Sequence, residues 1–389
     1  MARKKEEISQ DTGNLISDLI QDTDFRFITN TSDGGSLTDK PRVETPLYVL
    51  NDLLGGGLPL GSIVEIFGPS ASGKSSFMYE TLGNFQRQYP NGVSFIIDSE
   101  ASTDDSRIRQ LGVDPSKCPR MGAGTLESGF EQIIKILKKM VSNSAYKGFP
   151  VMIVWDTIAG CSTESQTKDG GMFSGGIAER PRIIKTSLTN IFPLVEKQNV
   201  LLVLLNQISA EIGGYRPGIT SSGGNALRHD VHIRCEFKGG KTEFDGVFAT
   251  EKRSTISITK SKISPIISNI PMTIDIPSGG IIDKSASLLE WMETVNPSLF
   301  KQSAWWKLEE WVYDKYKDYW NKIEGFDGTF RQSYLDDAVR TNNNLRLLLR
   351  LIWVDMISER YTLQSEVCKG IREQIKTELD TNLGVANND

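Results

Sequence analysis

The chain has 389 residues, a formal net charge of −5, 38% hydrophobic residues and 24% charged residues. These values are ordinary for a soluble globular protein, and the length indicates about two or three domains. A mildly acidic chain has no general electrostatic attraction to nucleic acid, so any such binding must come from a local basic surface. The four cysteines show no C-x-x-C spacing, which argues against a zinc or disulfide framework and indicates reduced thiols in a cytoplasmic protein.

The N-terminal residues 1–45 are polar and contain one amphipathic stretch, "NLISDLIQ". We interpret this segment as an arm with a short helix, a candidate oligomerisation segment. A disordered terminus is the alternative, and the pattern does not decide between them. The start lacks the apolar region of a signal peptide, and the longest apolar run, residues 200–205, is far too short to span a bilayer. We therefore expect no membrane association.

Residues 46–285 alternate between apolar runs and amphipathic helical stretches. The apolar runs have the character of buried strands and occur in "GSIVEIFG", "GVSFIIDSE", "FPVMIVWDT" and "NVLLVLLNQIS". This pattern predicts an α/β core with a mostly parallel, twisted sheet flanked by helices. Three closely spaced alternating runs, "HIRCEFKG", "STISITKSKIS" and "IPMTIDIP", predict added strands without helices between them.

Residues 286–389 differ in composition, since six of the seven tryptophans lie beyond residue 290. We predict a small helical C-terminal domain that includes "SAWWKLEEWVYDKYKDYW" and "NNNLRLLLRLIWVDMISERY" as helices. The tryptophans are expected to form the core of this domain. A surface that captures duplex DNA is the alternative, because lysines surround the cluster at Lys301, Lys307, Lys315, Lys317 and Lys322.

The segment "GPSASGKSS" fits the P-loop pattern G-x-x-x-x-G-K-[ST], with an apolar run before it and a helical stretch after it. Glycines allow backbone N–H groups to approach phosphate, and the start of the helix adds its positive end. Lys74 is placed for the β- and γ-phosphates of a nucleotide, and the Ser75 hydroxyl is placed for Mg²⁺. The predicted nucleotide-binding residues of the loop are Gly68, Pro69, Ser70, Ala71, Ser72, Gly73, Lys74, Ser75 and Ser76.

Polar side chains stand at the ends of three of the predicted buried strands. Asp156 follows "VMIVW" and is placed to hold Mg²⁺ through water, with a turn-capping role as the alternative. In "FIIDSE", Asp98 and Glu100 have the spacing of one strand face, and we select Glu100 to orient or deprotonate water, with a solvated loop acid as the alternative. In "LLNQIS", Gln207 is a candidate sensor of the γ-phosphate, although polar strand ends are common.

Taken together, these segments resemble the RecA/RadA-type recombinase family over about residues 46–285. The resemblance lies in "LGGGLPLGSIVEIFGPSASGKSS", "FIIDSEAS", "SSGGNALRHDVHIRCE" and "SITKSKISP". It implies a RecA-type P-loop ATPase core that binds ATP and Mg²⁺ between subunits. It also implies that Glu100 activates water and that Gln207 passes the state of the γ-phosphate to the following loop. Lys260 and Lys262 would act in trans, as cations that stabilise the transition state in a neighbouring subunit. Without the resemblance, the two lysines are better explained as part of a solvated strand face. Arg107 holds the position from which the family stacks a side chain on adenine.

The resemblance further implies two DNA-binding loops, at about residues 162–180 and 208–223, for which flexible surface is the alternative. Both offer apolar wedges to insert between bases and cations or aromatic rings to hold the backbone and bases. The expected DNA-binding residues are Met172, Phe173, Arg180 and Arg182 in the first loop, and Ile212, Tyr215, Arg216, Gly223, Gly224 and Asn225 in and after the second.

Some features depart from the family pattern. Residues 209–211 read Ser-Ala-Glu where bacterial members are more basic, which puts the strength of DNA binding in question. The N-terminal arm and the Trp-rich C-terminal region do not match, and this divergence suggests a phage or mobile-element recombinase. We do not interpret His229, His232 and Cys235 as a metal site, because offsets of three along a strand point to opposite faces.

The sequence therefore predicts a DNA-dependent ATPase that forms helical filaments on single-stranded DNA and catalyses strand exchange with homologous duplex DNA. A hexameric RecA-fold helicase is one alternative, which would form a closed ring and carry an arginine finger where Lys260 and Lys262 stand. A non-catalytic recombination mediator is another. It is expected to lack Lys74 or Glu100, whereas this chain has both.

Overall fold

A computed structural model describes most of the chain from residue 40 onward, so the predicted N-terminal arm lies almost entirely outside the described residues. The described residues are 40–101, 103–146, 148–168, 179–210, 219–221, 225–263, 271–277, 282–283, 287–296, 300–301, 306–323, 329–330, 332–360 and 365–385. Among them, no helix is long and apolar enough to cross a membrane.

Strands and helices are numbered in chain order within this part of the protein. The strands are β1 (Arg42–Val43), β2 (Leu58–Pro59), β3 (Ser62–Gly68), β4 (Val93–Asp98), β5 (Arg120–Met121), β6 (Val151–Asp156), β7 (Val200–Ala210), β8 (Ile219–Ser221), β9 (Ile233–Asp245), β10 (Phe248–Ser261), β11 (Met272–Pro277), β12 (Phe300–Lys301), β13 (Trp306–Leu308) and β14 (Thr329–Phe330). The α-helices are α1 (Tyr48–Leu53), α2 (Lys74–Gln88), α3 (Asp105–Gln110), α4 (Leu126–Ser142), α5 (Glu164–Lys168), α6 (Glu179–Lys197), α7 (Asn225–Asp230), α8 (Leu288–Val295), α9 (Glu310–Lys315), α10 (Lys317–Trp320), α11 (Gln332–Thr341), α12 (Asn343–Arg360) and α13 (Ser365–Leu383).

One large sheet organises the core, with its strands in the order β11-β10-β9-β3-β7-β6-β4-β5 and β8 attached to β7. The pairs from β9 through to β5 are parallel. At the other end, β10 pairs with β9 and β11 in antiparallel fashion. The predicted α/β class with a mostly parallel sheet is therefore confirmed, as are the three added strands without helices between them.

The strands of the sheet are apolar at successive positions because helices cover both faces. Val203 and Leu205 belong to the hydrophobic cluster that contains the buried face of α2. Leu202 and Leu204 point the other way and belong to the cluster that contains α4 and α6. Alternation along a strand sends neighbouring side chains to opposite faces, so a strand buried on both sides reads as a continuous apolar run.

The C-terminal region shares its hydrophobic core with the α2 face of the sheet. Trp291, Trp320 and Trp353 are fully buried in the same cluster as the core residues of α2, whereas Trp311 is 46% exposed. The expected single helix over "SAWWKLEEWVYDKYKDYW" was wrong at its start, where β13 pairs with β12 and β14. Aromatic residues favour strands as readily as helices when a neighbouring strand is available, and local spacing does not reveal that neighbour. The division at residue 286 stays a prediction.

A buried ion pair joins α1 to α12, a helix of the C-terminal region. The guanidinium of Arg350 donates to both carboxylate oxygens of Asp52, at 2.6 and 3.2 Å, and it lies 4.5 Å from the centre of the Tyr48 ring. The Asp52 side chain is completely buried. Burial raises the pKa of Asp52, while the charge and hydrogen bonds of Arg350 oppose that rise. The carboxylate therefore depends on Arg350 to remain charged inside the protein.

Replacing Arg350 by Met keeps much of the side-chain volume but leaves the Asp52 carboxyl group without its cation. We expect the free energy of unfolding to fall by about 3 kcal/mol, because breaking one side of a buried pair strands the other charge. Urea denaturation followed by circular dichroism measures this change. Lys135→Met, which removes the exposed pair with Glu131, is the control and should cost less than about 1 kcal/mol. Equal losses in the two variants would contradict the assigned role.

Candidate nucleotide-binding site

Parallel pairing brings the predicted polar residues to one edge of the sheet. Gly68 at the end of β3 is in register with Gln207 on β7, and Asp98 on β4 is in register with Asp156 on β6. Because these four strands are neighbours and point the same way, their carboxyl ends form a continuous row. Ligands of open parallel sheets bind outside this edge.

The segment from Gly68 to Lys74 forms a tight loop between β3 and α2. Gly73 has a φ of 98° and Ala71 a φ of 57°, so the chain turns twice through left-handed conformations. A Cβ atom at Gly73 would lie 2.4 Å from the Cδ1 atom at the tip of the Ile276 side chain, and the left-handed φ is the stronger reason for glycine at this position. The loop therefore combines a sharp turn with a covering side chain from β11.

The Lys74 ammonium group lies inside this loop. Its Nζ donates to the carbonyl oxygens of Gly68 and Pro69 at 3.1 and 2.6 Å, and the side chain is almost completely buried. Burial lowers the pKa of Lys74, while the charges of Asp156 and Glu100 raise it. A buried ammonium group held by neutral carbonyls is a strong site for an anion, because an anionic oxygen forms a stronger hydrogen bond with it.

Asp156 forms a buried oxygen cluster with Ser75 and Tyr79. The Tyr79 hydroxyl donates to Oδ2 of Asp156 at 2.9 Å, and the Ser75 hydroxyl also hydrogen-bonds the carboxylate. Burial raises the pKa of Asp156, and these two hydroxyl groups oppose the rise. Ser75 and Asp156 together present the oxygen ligands that suit Mg²⁺. Tyr79 did not enter the sequence analysis, although its position four residues after Ser75 places it on the same face of α2.

Glu100 and Gln207 are brought into direct contact. Nε2 of Gln207 donates to Oε1 of Glu100 at 3.2 Å, and the Thr157 hydroxyl donates to the same oxygen at 3.4 Å. Asp98 has a different task, since its carboxylate accepts the backbone N–H groups of Glu100 and Thr103 and thereby shapes the turn after β4. Glu100 is exposed at this edge, so the selected carboxylate is the accessible one of the pair.

Arg107 lies beside the end of the loop. Its Nη2 donates to the Ser76 hydroxyl at 3.3 Å, across from α3 to α2. The helix that carries it begins at an Asp104 cap, whose side chain accepts the N–H group of Ser106. The predicted contact with adenine is not tested by this arrangement, and it stays a prediction.

Lys260 and Lys262 do not reach the loop of their own chain. Nζ of Lys260 donates to the carbonyl oxygens of Arg228 and His229, at 2.9 and 2.6 Å, and Nζ of Lys262 donates to that of Asp230 at 3.4 Å. Both lysines therefore cap the C-terminal end of α7, where helix carbonyls carry partial negative charge. Burial and the neighbouring Lys262 lower the pKa of Lys260 to about 8.

The structure describes only part of the predicted DNA-binding set. Helices α5 and α6 occupy the two ends of the first expected loop, and β7 and β8 extend into the second, so both loops are shorter than the sequence predicted. The antiparallel pairing of β7 with β8 joins residues from Ile208↔Ser221 to Ala210↔Ile219, and the sequence analysis did not predict it. The residues outside the described part are Met172, Phe173, Ile212, Tyr215, Arg216, Gly223 and Gly224.

Of the remaining predicted DNA-binding residues, Arg182 is exposed on α6 and Asn225 begins α7. Arg180 is partly buried, and its guanidinium donates to the carbonyl oxygens of Cys161, at 2.7 Å, and of Ile158. These contacts tie the start of α6 to the turn after β6. Contact of Arg180 with DNA phosphates stays a prediction.

His232 connects the strand that enters the P-loop with the strand that carries the two lysines. Its Nδ1 accepts the backbone N–H of Ile63 at 2.9 Å, its carbonyl accepts the N–H of Lys262, and its ring stacks on Phe192 at 4.5 Å. Burial, together with the nearby Lys262 and Lys260, lowers the pKa of His232 to about 4. His229 lies on α7 rather than on a strand, so the strand-alternation argument used above against a metal site was wrong in its premise.

The depressed pKa of His232 makes the stability of the protein depend on pH. The unfolded chain binds a proton at this residue below its ordinary pKa of 6.5, whereas the native state does so only near pH 4. The contribution is therefore complete above pH 6.5 and is lost as the pH falls towards 4. We expect His232→Asn, which keeps an acceptor for Ile63, to reduce the loss of unfolding free energy between pH 7 and 4.5 by about 2 kcal/mol.

Urea denaturation at a series of pH values measures this difference. The control is His229→Asn, which changes the other histidine of the chain on an exposed position of α7. It should leave the pH dependence unchanged. The prediction fails if both substitutions change the pH dependence of the unfolding free energy equally, or if His232→Asn does not change it. Either result would show that the His232 ring is not kept neutral by its surroundings.

Comparison with known proteins places this site in a family context. A family model described as the RecA N-terminal domain matches residues 40–281. Protein RecA of Desulforapulum autotrophicum is 28% identical over 271 residues, which cover 69% of this chain and 74% of that protein. Protein RecA of Leifsonia xyli subsp. xyli is 28% identical over 266 residues, 68% of this chain and 70% of that protein. Protein RecA of Delftia acidovorans is 27% identical over 281 residues, 72% of each.

Proposed function

The chain belongs to the RecA family, and on that premise we propose that it is a cytoplasmic, DNA-dependent ATPase that acts in recombination. It binds ATP with Mg²⁺ and assembles on single-stranded DNA as a helical filament. Within the filament it pairs the bound strand with homologous duplex DNA and exchanges strands. In this proposal the N-terminal arm contributes to oligomerisation and the two predicted loops bind DNA. Met172, Phe173 and Ile212 are the apolar side chains that insert between bases.

The single observation that carries the proposal is the contact between Glu100 and Gln207 beside the P-loop. A carboxylate at this edge can accept the proton of a water molecule while the water oxygen attacks the γ-phosphorus and ADP leaves. The Gln207 amide donates to the Glu100 carboxylate in this structure. When a triphosphate is bound, the same amide can donate to a γ-phosphate oxygen instead. The same pair therefore supplies both the base for hydrolysis and a sensor of the nucleotide state.

The position of Gln207 on β7 explains how that state could reach DNA. The strand continues to Ala210, inside the second predicted DNA-binding loop, and β8, which lies in the same predicted loop, pairs with it. A shift of the Gln207 side chain or backbone is thus transmitted along a continuous hydrogen-bonded strand. Backbone pairing resists local slippage, so strand ends are well suited to carry a small displacement into a loop.

The capping of α7 by Lys260 and Lys262 supports a site between subunits. The described hydrogen bonds of both ammonium groups are to neutral carbonyl oxygens, so each cation can exchange them for an anionic phosphate oxygen of a neighbouring nucleotide. Release of the α7 carbonyls would then accompany binding across the interface. Since α7 follows the second loop directly, this exchange couples a neighbour's nucleotide to the grip on DNA.

The alternatives differ from this proposal in assembly and turnover. A hexameric helicase would close into a ring, and a mediator would bind DNA or a recombinase with little hydrolysis. The close association of Lys74, Asp156 and Glu100 at one sheet edge favours turnover over a purely binding role. No contact on the described surface separates a ring from a filament, so the form of the assembly is the decisive test.

Electron microscopy with single-stranded DNA and a non-hydrolysable ATP analogue tests the assembly. We expect helical filaments that depend on both the DNA and the nucleotide, because the ATP site is completed by the neighbouring subunit. Lys74→Ala should abolish them by removing the cation of the P-loop, and the wild-type protein should also promote joint-molecule formation with homologous duplex. Closed rings, or the lack of any assembly in the wild type, would overturn the recombinase proposal.

Glu100→Gln separates hydrolysis from nucleotide binding. The amide cannot accept a proton from water, so we expect DNA-stimulated phosphate release to fall at least about 100-fold. Binding of a non-hydrolysable triphosphate should stay within about threefold, since the P-loop contacts are unchanged. The control Glu131→Gln changes an exposed carboxylate on α4 and should retain full activity. More than a tenth of wild-type hydrolysis in Glu100→Gln would remove this residue from the role of base.

A further inference from the structure

The P-loop is covered by a pair of residues from the added antiparallel strands. Lys252 on β10 and Ile276 on β11 are directly opposite each other in the strand register. Ile276 fills the space above Gly73, where a Cβ atom would meet its Cδ1 at 2.4 Å. Nζ of Lys252 donates to the carbonyl oxygen of Ala71, in the middle of the loop. One cross-strand pair thus places an apolar group and a cation on adjacent parts of the loop.

Lys252 is the second ammonium group to reach this loop, and it comes from β10 rather than from the loop itself. Lys74 donates to the carbonyl oxygens at the start of the loop, whereas Lys252 donates to the one at Ala71. The two cations are close enough for the charge of Lys252 to lower the pKa of Lys74 further. Among the residues that the structure describes, no carboxylate forms an ion pair with Lys252. Asp156 and Glu100 also act on Lys74, and an anionic ligand between the two ammonium groups would reduce their mutual repulsion further.

We propose that Lys252 is a second phosphate-binding cation of the nucleotide site, supplied by the same chain and not by a neighbour. This inference rests on the proposed nucleotide-binding function and assigns it a further residue. Its ligand is a nucleoside diphosphate or triphosphate. Ala71 belongs to the part of a P-loop whose backbone holds the α- and β-phosphates, so Lys252 donates to an oxygen of those groups.

The assignment also gives β10 a second role. Lys252 lies near the start of this strand, and Lys260 and Lys262 lie at and just beyond its end. At about 3.3 Å per residue, the eight steps from Lys252 to Lys260 span about 26 Å. A strand that binds its own nucleotide at one end and a neighbour's at the other joins two consecutive sites through one continuous hydrogen-bonded element. β10 pairs with β9 along its length and with β11 from Glu251 to Ile256, and its register with β9 shifts between Lys252 and Ser254 and between Ile258 and Lys260.

Equilibrium binding of fluorescent ADP and of a fluorescent, non-hydrolysable triphosphate to the full chain without DNA tests the proposal. Lys252→Met removes the charge and keeps the length of the side chain. We expect this substitution to reduce the binding affinity for both nucleotides by about 10- to 100-fold, the usual effect of a lost hydrogen bond to a charged group. Lys252→Arg keeps a cation and should stay within about threefold of the wild type. The matched control is Lys241→Met, an exposed lysine on the neighbouring strand β9, which should bind like the wild type.

Thermal unfolding without nucleotide separates phosphate binding from support of the loop. Under the proposal, Lys252→Met unfolds at the wild-type temperature, and only the nucleotide-induced rise in that temperature is reduced. Lys252→Gln serves as a second neutral variant if the Met variant does not fold. Wild-type affinity in the neutral variants overturns the proposal, and so does equal loss in the Met and Arg variants together with lower stability. Lack of binding by the wild type itself would instead refute the nucleotide-binding function.

Discussion

The register between β3 and β7 is the constraint on which the site depends, because it sets Gly68 beside Gln207. Side chains alternate along a strand, so a shift of one residue would turn Gln207 away from Glu100 and expose an apolar face instead. The register is held in the core by more than apolar packing. Asn206 is fully buried and its Nδ2 donates to Oε1 of Glu65 at 3.0 Å. Glu65 also binds Arg234 on β9 through its other carboxylate oxygen, and this buried network favours one alignment of the central strands.

The chemistry of the site follows from how its charges are buried. Burial lowers the pKa of Lys74 and raises that of Asp156, so each group is disfavoured in its charged form by the same desolvation. The charge of Asp156 offsets part of this effect for Lys74, and the hydrogen bonds from Ser75 and Tyr79 offset part of it for Asp156. A phosphate and a divalent cation are the ligands that would complete both environments. The buried charges of Lys74 and Asp156 are thus only partly compensated within the protein, which favours the binding of charged ligands.

Strands β7 and β10 lead away from the edge of the sheet that carries the candidate nucleotide site. β7 continues past Gln207 to the second predicted DNA-binding loop, and α7 follows that loop and is capped by Lys260 and Lys262. β10 leads back from those lysines to Lys252 at the P-loop. The candidate nucleotide site, the second predicted loop and the lysines proposed for a subunit interface are therefore connected by strands and one helix. Regular elements move as units, which gives the proposed coupling a physical route without long-range flexibility.

The sequence by itself determined the class of fold and which polar residues meet at one edge of the sheet, because local patterns encode both. The apolar runs predicted the parallel sheet, and the strand ends with Glu100 and Gln207 are indeed adjacent. Local spacing could not show that β13 would find a strand partner, nor that His229 would lie on a helix. The tertiary structure alone decided that Lys252 reaches Ala71, because this contact joins residues 181 positions apart through strand pairings that leave no local trace. Short-range spacing reports what a segment is, whereas its neighbours are decided by the packing of the whole chain.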